Sequence, residues 1–160
     1  MADQATQIMV IDAPPQRCFE LALDFERYPE WATDIKSVAV LERDAEGRGT
    51  MVQYRAAAFG RSVSYTLKYD YTAAPNVLSW VQVGGDLTNK LDGQYIFADA
   101  VLAGSDGRPE RAATKVTYHL VAELRLPIPG FVKRRAESRI MHTALRELKA
   151  RVEASAASAG

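Results

Sequence analysis

Residues 61–72, RSVSYTLKYDYT, decide the fold, because apolar and polar side chains alternate along them at every second position. Strict alternation is typical of a β-strand with one buried face and one solvated face. The predicted inner face carries Val63, Tyr65, Leu67, Tyr69 and Tyr71, and the outer face carries Ser62, Ser64, Thr66, Lys68 and Asp70. The sequence therefore predicts a strand whose buried side is unusually rich in tyrosine.

Six more segments around this strand have strand-like composition. They are Gln4–Ile11, Ser37–Arg43, Thr50–Phe59, Val77–Val83, Leu91–Leu102 and Thr114–Leu126. Turn-forming residues separate consecutive segments at short spacing, for example Glu46-Gly47 and Gly84-Gly85-Asp86. Short turns between strands are typical of hairpins, so we expect an antiparallel sheet.

Helices are predicted at two places outside the run of strands. Ala13-Pro14-Pro15 should end the first strand and open a helix through Phe19, because proline fits the first helical turn. Residues 24–31 should form a short helical or turn-like segment, since Pro29 disfavours helical dihedrals at Tyr28. After Phe131, helical spacing returns at Val132, Ala136, Ile140, Met141, Ala144, Leu145, Leu148 and Val152. We expect this last helix to lie across the concave sheet in an α+β fold of order β-α-α-β6-α.

Bulk composition excludes several classes of protein. Twenty basic and twenty acidic residues cancel, which argues against a dedicated nucleic-acid binder. Cys18 is the only cysteine, so neither a disulfide nor a cysteine metal site is expected, and a cytoplasmic location fits. His119 and His142 lie in different elements without metal-ligand spacing and are expected at the surface, and no Gly-rich phosphate motif occurs, so neither metal nor cofactor is predicted.

Domain organisation is expected to be simple. Residues 4–153 should form a single ligand-binding domain, since no internal repeat or linker divides them. Residues 154–160 are small and uncharged, and they are expected to form a disordered tail.

A set of residues spread along the chain carries a family resemblance. The set comprises Ala13-Pro14-Pro15, Phe19, Asp24, Tyr28-Pro29-Glu30-Trp31, Trp80, Gly93-Gln94-Tyr95 and the closing Leu145-x-x-Leu148-Lys149-x-x-Val152-Glu153. In this set and in its element order the chain resembles the START-like (SRPBCC) superfamily, nearest to the polyketide cyclase/dehydrase and coenzyme Q-binding (lipid transport) branch. The resemblance implies a helix-grip fold, in which a curved seven-stranded antiparallel sheet wraps around a long C-terminal helix and leaves a hydrophobic tunnel.

Cyclase chemistry is disfavoured by what this chain lacks. The resemblance places a tyrosine, a serine and an arginine of the aromatase/cyclase members at positions that fall on Ile35, Leu67 and Tyr69. A cyclase must stabilise an enolate, which requires a buried donor or cation near the reacting carbonyl. Leu67 can supply neither, so no catalytic residue is predicted.

The predicted ligand contacts combine inner-face residues of the sheet with two helix residues. They are Tyr65, Leu67, Tyr69, Trp80, Tyr95, Phe97, Tyr118, Leu120, Met141 and Leu145. Tyrosine and tryptophan join a large apolar surface to a polar group, which suits a pocket for a ring-bearing ligand with a few oxygens. An ordinary core filled by the same rings is the alternative, and Ser79, Val81 and Val83 would replace Trp80 inside if that strand were turned over.

Three functions remain open on this basis. The leading hypothesis is a binder or carrier of a hydrophobic small molecule such as a lipid, a quinone or a polyketide-like ring system. The alternative is a cyclase/dehydrase-type enzyme that uses Tyr65, Tyr69, Tyr118 and Arg55, although strand alternation with Tyr54 places Arg55 outward. A protein-interaction module acting through the outer strand faces is the third.

The segment 126–135, LPIPGFVKRR, suggests a surface contact. Its cations come at the start of a helix, where the macrodipole disfavours positive charge and another reason for them is needed. Ile128 and Phe131 would insert into an anionic membrane while Lys133 and Arg134 meet its head groups. The alternative is a solvated helix face, with Arg135 turned inward to a ligand's polar end.

Overall fold

The computed structural model describes residues 3–58, 60–104, 107, 109–125 and 129–159. Its strands are β1 (Asp3–Ile11), β2 (Ile35–Arg43), β3 (Gly49–Ala58), β4 (Arg61–Asp70), β5 (Val77–Gly85), β6 (Thr88–Leu102) and β7 (Arg111–Leu124). Its helices are α1 (Pro15–Ala22) and α2 (Gly130–Ala159), with a 3₁₀ segment at Phe25–Glu30. All the predicted strands and helices are present, with their ends shifted by a few residues.

The strands form one antiparallel sheet in the order β1-β7-β6-β5-β4-β3-β2. Consecutive strands from β2 to β7 are neighbours, as the short turns predict. β1 and β2 stand at the two edges, so the sheet does not close into a barrel. α2 packs against β1, β7 and α1, which leaves the rest of the concave face to be filled by side chains or by a cavity. The predicted α+β class and seven-stranded sheet are confirmed.

Buried and more exposed side chains alternate along β4, as its sequence predicts. Val63, Leu67 and Tyr69 are buried, and Tyr65 is half-buried on the same face. On β5, Trp80 is buried whereas Val81 and Val83 are exposed, so the inward placement of Trp80 is confirmed.

Trp80 faces a glycine across the sheet, and this explains how the large indole fits. Gly93 on β6 is paired with Trp80, and a Cβ at that glycine would lie 2.6 Å from Cζ2 of the indole and 2.7 Å from the carbonyl oxygen of His119. Separations under about 3 Å are shorter than van der Waals contact, so only glycine leaves room for the ring here.

The 3₁₀ segment is fixed to the end of α1. α1 begins at Pro15, whose fixed φ suits the first helical turn, and its buried face includes Cys18 and Phe19. The Tyr28 hydroxyl donates a hydrogen bond to the Ala22 carbonyl oxygen. This bond holds the segment after α1 beside the concave face of the sheet.

α2 is unevenly buried along its length. Leu145, Leu148 and Val152 are fully buried, but Ile140 is 44 % exposed although helical spacing predicts it on the buried side. Val132 is also partly exposed, and Ile140 borders the cavity that lies against this part of α2. The helix continues through Ala159, so the backbone of the predicted tail is helical up to that residue. Within the described ranges, no helix is long and apolar enough to span a bilayer.

Candidate ligand cavity

A cavity of about 230 Å³ lies between the sheet, the N-terminal half of α2 and the chain around residues 28–35. It is partly open to solvent. Its aromatic lining residues are Tyr28, Trp31, Tyr54, Tyr65, Tyr69, Trp80, Tyr95 and Tyr118. The predicted void between sheet and terminal helix is therefore present, and its lining is rich in aromatic side chains.

Seven of the ten predicted ligand contacts line this cavity. They are Tyr65, Leu67, Tyr69, Trp80, Tyr95, Tyr118 and Leu120. Phe97, Met141 and Leu145 do not line it and are buried in the core instead. The Phe97 ring packs edge-on against Phe19 of α1 at a centroid distance of 6.2 Å, because α1 fills this end of the concave face. These three residues belong to the main core cluster.

Several lining residues were missed by the sequence analysis. Tyr54 shares the inner face of β3 with Val52, and the same alternation that turns Arg55 outward points to it. Tyr28 and Trp31 belong to the segment that carries the family resemblance, yet no periodic pattern places them on the wall. Glu137 on α2 gives no signal in the sequence, because its neighbours Ala136 and Ser138 are not strongly apolar.

The aromatic wall is a connected set of ring contacts. The rings of Tyr54 and Tyr65 stack with centroids 5.1 Å apart, and those of Tyr95 and Tyr118 lie 4.6 Å apart. Trp80 contacts both Tyr95, at 5.3 Å, and Tyr118, at 5.8 Å. Contacts of this kind contribute roughly 0.5–1.5 kcal/mol each beyond area burial. The wall is accordingly held in shape by its own rings.

Two kinds of tyrosine hydroxyl occur in the wall. Those of Tyr54 and Tyr69 lie 2.6 Å apart and hydrogen-bond to each other. By contrast, the hydroxyls of Tyr65, Tyr95 and Tyr118 make no hydrogen bond to another described residue. Because these three residues line the cavity, their hydroxyls can exchange hydrogen bonds with the polar atoms of a ligand.

Burial keeps these hydroxyls protonated. It raises the pKa of Tyr54, Tyr69, Tyr95 and Tyr118 well above the ordinary tyrosine value, because the phenolate would lose its hydration. At neutral pH they are therefore neutral groups that can both donate and accept hydrogen bonds.

Carboxyl groups supply the charge of the lining. Asp34, Glu137 and Glu147 line the cavity, and Glu137 is only 3 % exposed. The Glu147 carboxylate accepts hydrogen bonds from the Thr33 amide at 3.2 and 3.3 Å and from the Thr33 hydroxyl. Among the described lining residues there is no lysine, arginine or histidine.

The positions that bear on catalysis differ in where they lie. Ile35, Leu67 and Tyr69, where the resemblance places the cyclase residues, all line the cavity. Arg55 is exposed on the outer face of β3, as alternation predicts, and so it supplies no cation to the cavity.

Histidine and cysteine lie outside the cavity. His119 is half-buried with its Nδ1 2.7 Å from the Thr6 hydroxyl, and His142 is exposed on α2. Cys18 lies on the buried face of α1, and this burial raises the pKa of its thiol. In the described part of the chain, no group of three or more histidine, cysteine, aspartate or glutamate side chains is placed to hold a metal ion.

The predicted membrane-contact residues lie at the start of α2. Phe131 is 62 % exposed, Arg134 is exposed and Lys133 is half-buried. Ile128 falls outside the described residues. Arg135 is exposed and is not part of the cavity lining, so the alternative in which it turns inward to a ligand is wrong.

The sheet, the terminal helix gripped by it and the cavity between them define a START-like, helix-grip protein. A family model described as polyketide cyclase / dehydrase and lipid transport matches residues 3–153. The chain belongs to this family, and the predicted resemblance is confirmed. No curated protein matches the sequence significantly.

Solved structures share the fold at low sequence identity. A START superfamily protein from Mycobacterium smegmatis is similar with a TM-score of 0.80 and 23 % identity, over 94 % of this chain and 97 % of that one. An aromatase/cyclase from Streptomyces sp. R1128 is similar with a TM-score of 0.79 and 14 % identity, over 100 % and 99 % of the two chains. At these identities the likeness establishes the architecture and leaves the activity to the residues of the cavity.

Proposed function

We propose that this protein binds and carries a hydrophobic, ring-bearing small molecule in the cavity between the sheet and α2. The observation that carries the proposal is the cavity of about 230 Å³, whose described lining includes eight aromatic side chains. Apolar pockets with a few polar groups are the usual form of small-molecule sites. The three tyrosine hydroxyls that have no hydrogen-bond partner among the described residues supply those polar groups.

Size and wall chemistry narrow the ligand. The volume is somewhat below the roughly 300–1,000 Å³ of pockets for drug-sized ligands, which suits a molecule of one to three fused rings. Flat aromatic walls stack on flat guests, whereas a long acyl chain gains no such contact. A quinone or polyketide-like ring system therefore fits better than a long-chain lipid.

A pair of helix variants tests this proposal. Ala144 lines the cavity from α2, and Ala150 is exposed on the same helix outside the lining. Ala144→Phe should fill the cavity and abolish the small molecule that co-purifies from the native host, as measured by native mass spectrometry and solvent extraction. Ala150→Phe adds the same side chain and should leave the bound molecule in place.

The outcome that contradicts the carrier function is equally concrete. The carrier function would be refuted if the purified protein carried no small molecule and if titration calorimetry showed no binding of 1-naphthalenemethanol or menadione to it. Equal binding by both variants would place the ligand elsewhere on the surface.

A cyclase/dehydrase-type enzyme is the second candidate. Tyr65, Tyr69 and Tyr118, three of the four residues that this alternative requires, line the cavity, and neutral hydroxyls can stabilise an enolate oxygen by hydrogen bonding. Arg55, the fourth, lies on the outer face. A carrier returns its extracted ligand unchanged after incubation, whereas a dehydrating enzyme returns a product lighter by one water, which mass spectrometry distinguishes.

We also propose transient contact with an anionic membrane through the start of α2. Exposed Phe131 and partly exposed Val132 stand beside Lys133 and Arg134, one turn before residues that line the cavity. An aromatic side chain next to cations matches the boundary between acyl chains and anionic head groups. Contact there would bring a membrane next to the cavity.

Liposome flotation tests the membrane contact. The protein should float with vesicles that contain anionic lipid, and Phe131→Ser should weaken flotation. Val101→Ser, which removes an exposed apolar side chain of β6, is the matched control and should float like the parent protein. Failure to float with either anionic or neutral vesicles would remove the proposal.

A further inference from the structure

Tyr54 and Tyr69 form a hydroxyl pair in the wall of the cavity. Tyr54 comes from β3 and Tyr69 from β4, and their hydroxyl oxygens lie 2.6 Å apart. In the register of the two strands Tyr54 is opposite Tyr65, four residues before Tyr69, which is about 13 Å along a strand. The two side chains therefore lean toward each other for their hydroxyls to meet.

Packed rings hold this pair in place. The Tyr54 ring stacks on that of Tyr65 with centroids 5.1 Å apart. The Tyr69 ring contacts Phe25, at 4.4 Å, and Trp80, at 5.8 Å. Tyr54 is 2 % exposed and Tyr69 is 7 % exposed, yet both side chains line the cavity. The pair is accordingly a well-supported polar group beside the space that a ligand would occupy.

One proton of the pair is left over. Each tyrosine hydroxyl carries one proton, and the bond between Tyr54 and Tyr69 uses one of the two protons. The remaining proton has no acceptor among the described residues, since neither hydroxyl makes a second hydrogen bond to one of them. The pair can therefore donate one hydrogen bond to an atom in the cavity.

Three features make this donor suitable for a neutral oxygen atom. A hydroxyl that accepts a hydrogen bond is polarised and donates a stronger one, so the pair is a better donor than a single tyrosine. Burial raises the pKa of both tyrosines well above the ordinary value, which keeps the pair protonated at neutral pH. The described lining contains no lysine, arginine or histidine. Neutral donors match a carbonyl oxygen, whereas a buried carboxylate needs a cation to compensate its charge.

We propose that the pair of Tyr54 and Tyr69 is the site at which the cavity binds a carbonyl oxygen, so that ring-bearing ketones or quinones are preferred over hydrocarbons of the same shape. A carbonyl oxygen only accepts hydrogen bonds, and the pair supplies the proton that it needs. This inference rests on the proposed binding function and names the group of the ligand that is recognised.

Two probes with one carbon skeleton test the preference. 1-Acetylnaphthalene carries a ketone oxygen and 1-ethylnaphthalene does not, so transfer from water into a purely apolar cavity favours the hydrocarbon. Equilibrium dialysis should instead show that the parent protein binds the ketone about fivefold tighter, as expected for one net hydrogen bond. Equal affinities, or tighter binding of the hydrocarbon, would overturn the carbonyl site while leaving the binding function intact. Failure of both probes to bind would refute the binding function itself.

Tyrosine-to-phenylalanine variants assign the preference to the pair. The double variant Tyr54→Phe, Tyr69→Phe removes both protons and should abolish the ketone preference. Tyr69→Phe alone should lower it, because the Tyr54 hydroxyl then donates without a second hydroxyl to polarise it. Tyr71→Phe is the matched control, because its hydroxyl donates to the Gly49 carbonyl oxygen at 2.6 Å outside the described lining. The ratio of the two affinities is used because any loss of folded protein affects both probes equally.

A spectroscopic measurement reports the hydrogen bond itself. Isotope-edited infrared spectra should show the carbonyl band of bound 1-acetylnaphthalene at higher frequency in the double variant than in the parent protein, because a hydrogen bond weakens the C=O bond. An unchanged band and an unchanged affinity ratio in the double variant would refute the assignment. A loss of the preference in Tyr118→Phe alone would also refute it, since the carbonyl would then bind at another hydroxyl of the wall.

Discussion

The two halves of α2 differ sharply in what they contact. In the C-terminal half, Leu145 and Val152 are completely buried and belong to one core cluster with Cys18 and Phe97. In the N-terminal half, Met141 belongs to the same cluster, but Ile140 is 44 % exposed and lines the cavity together with Ala136. The C-terminal half therefore contributes most of the packing of α2, and the cavity lies mainly against the N-terminal half.

Polar contacts also hold the C-terminal half of α2 to the rest of the fold. The Glu153 carboxylate accepts a hydrogen bond from the Asp12 amide at 2.8 Å, and the Lys149 ammonium donates to the Val10 carbonyl oxygen at 2.9 Å. Arg151 pairs with Glu30 of the 3₁₀ segment at 2.9 Å. These contacts orient the C-terminal half, although partly exposed ion pairs add little to stability individually. In the N-terminal half, the Gln7 side-chain amide donates a hydrogen bond to the Ser138 carbonyl oxygen at 2.9 Å, which joins this part of α2 to β1.

The largest expected effect comes from truncating the packed half of the helix. Leu148→Ala should lower the free energy of unfolding by about 2–5 kcal/mol, because it removes a buried side chain and leaves a void. Ile140→Ala, on the same helix, should cost less than about 1 kcal/mol, because that side chain is already exposed to solvent. Urea unfolding measures both values, and equal losses would contradict the division of the helix.

The next effect concerns the glycine beneath Trp80. Gly93→Ala should destabilise the protein by about 1–3 kcal/mol, because its Cβ would meet both the indole and a backbone oxygen. It should also weaken naphthalenemethanol binding, since the Trp80 ring must leave its place in the wall. Gly84→Ala is the matched control, because a Cβ there meets nothing within 4 Å. Similar melting temperatures for the two variants would show that the indole moves without cost.

Much of the fold follows from the sequence because periodicity reports which face of a strand or helix is buried. It does not report position along the axis of the cavity. Tyr95 and Phe97 share one face of β6, yet Tyr95 lines the cavity and Phe97 packs on Phe19. The difference arises from where α1 covers the concave face, which is a tertiary contact. Glu137 was missed for a related reason, since a charged residue beside small ones predicts a solvated helix face.

Alkaline titration compares tyrosines inside and outside the cavity. Burial raises the pKa of Tyr71 to about 12, and burial raises the pKa of the cavity residue Tyr118 well above the ordinary value of 10.0. Because the folded values exceed the unfolded ones, the stability they contribute is complete below pH 10 and declines as the pH rises above it. Near-ultraviolet tyrosinate absorbance should therefore stay low near pH 10. Tyr71→Phe should remove the ionisation near pH 12, and an early rise in the parent protein would contradict this.

The smallest expected effect on stability comes from the bond that joins the two sides of the cavity. Thr33 stands in the chain between lining residues Trp31 and Asp34, and its amide and hydroxyl bind the Glu147 carboxylate of α2. Thr33→Ala keeps the amide contact and removes the hydroxyl contact, so unfolding should change by less than about 1 kcal/mol at this exposed site.

Ligand release should respond more strongly than stability, because this bond joins the chain at residues 31–34 to Glu147 of α2, and both line the cavity. Stopped-flow displacement of 1-naphthalenemethanol should show dissociation several-fold faster in Thr33→Ala than in the parent protein. The matched control is Thr6→Ala on the edge strand β1, which removes an exposed hydroxyl contact to His119 of β7. This variant should leave the dissociation rate of the probe unchanged. If both variants released the probe at the parent rate, the ligand would not pass between residues 31–34 and α2. The next route to test would be the hairpin between β3 and β4, because Ala58 and Val63 also line the cavity.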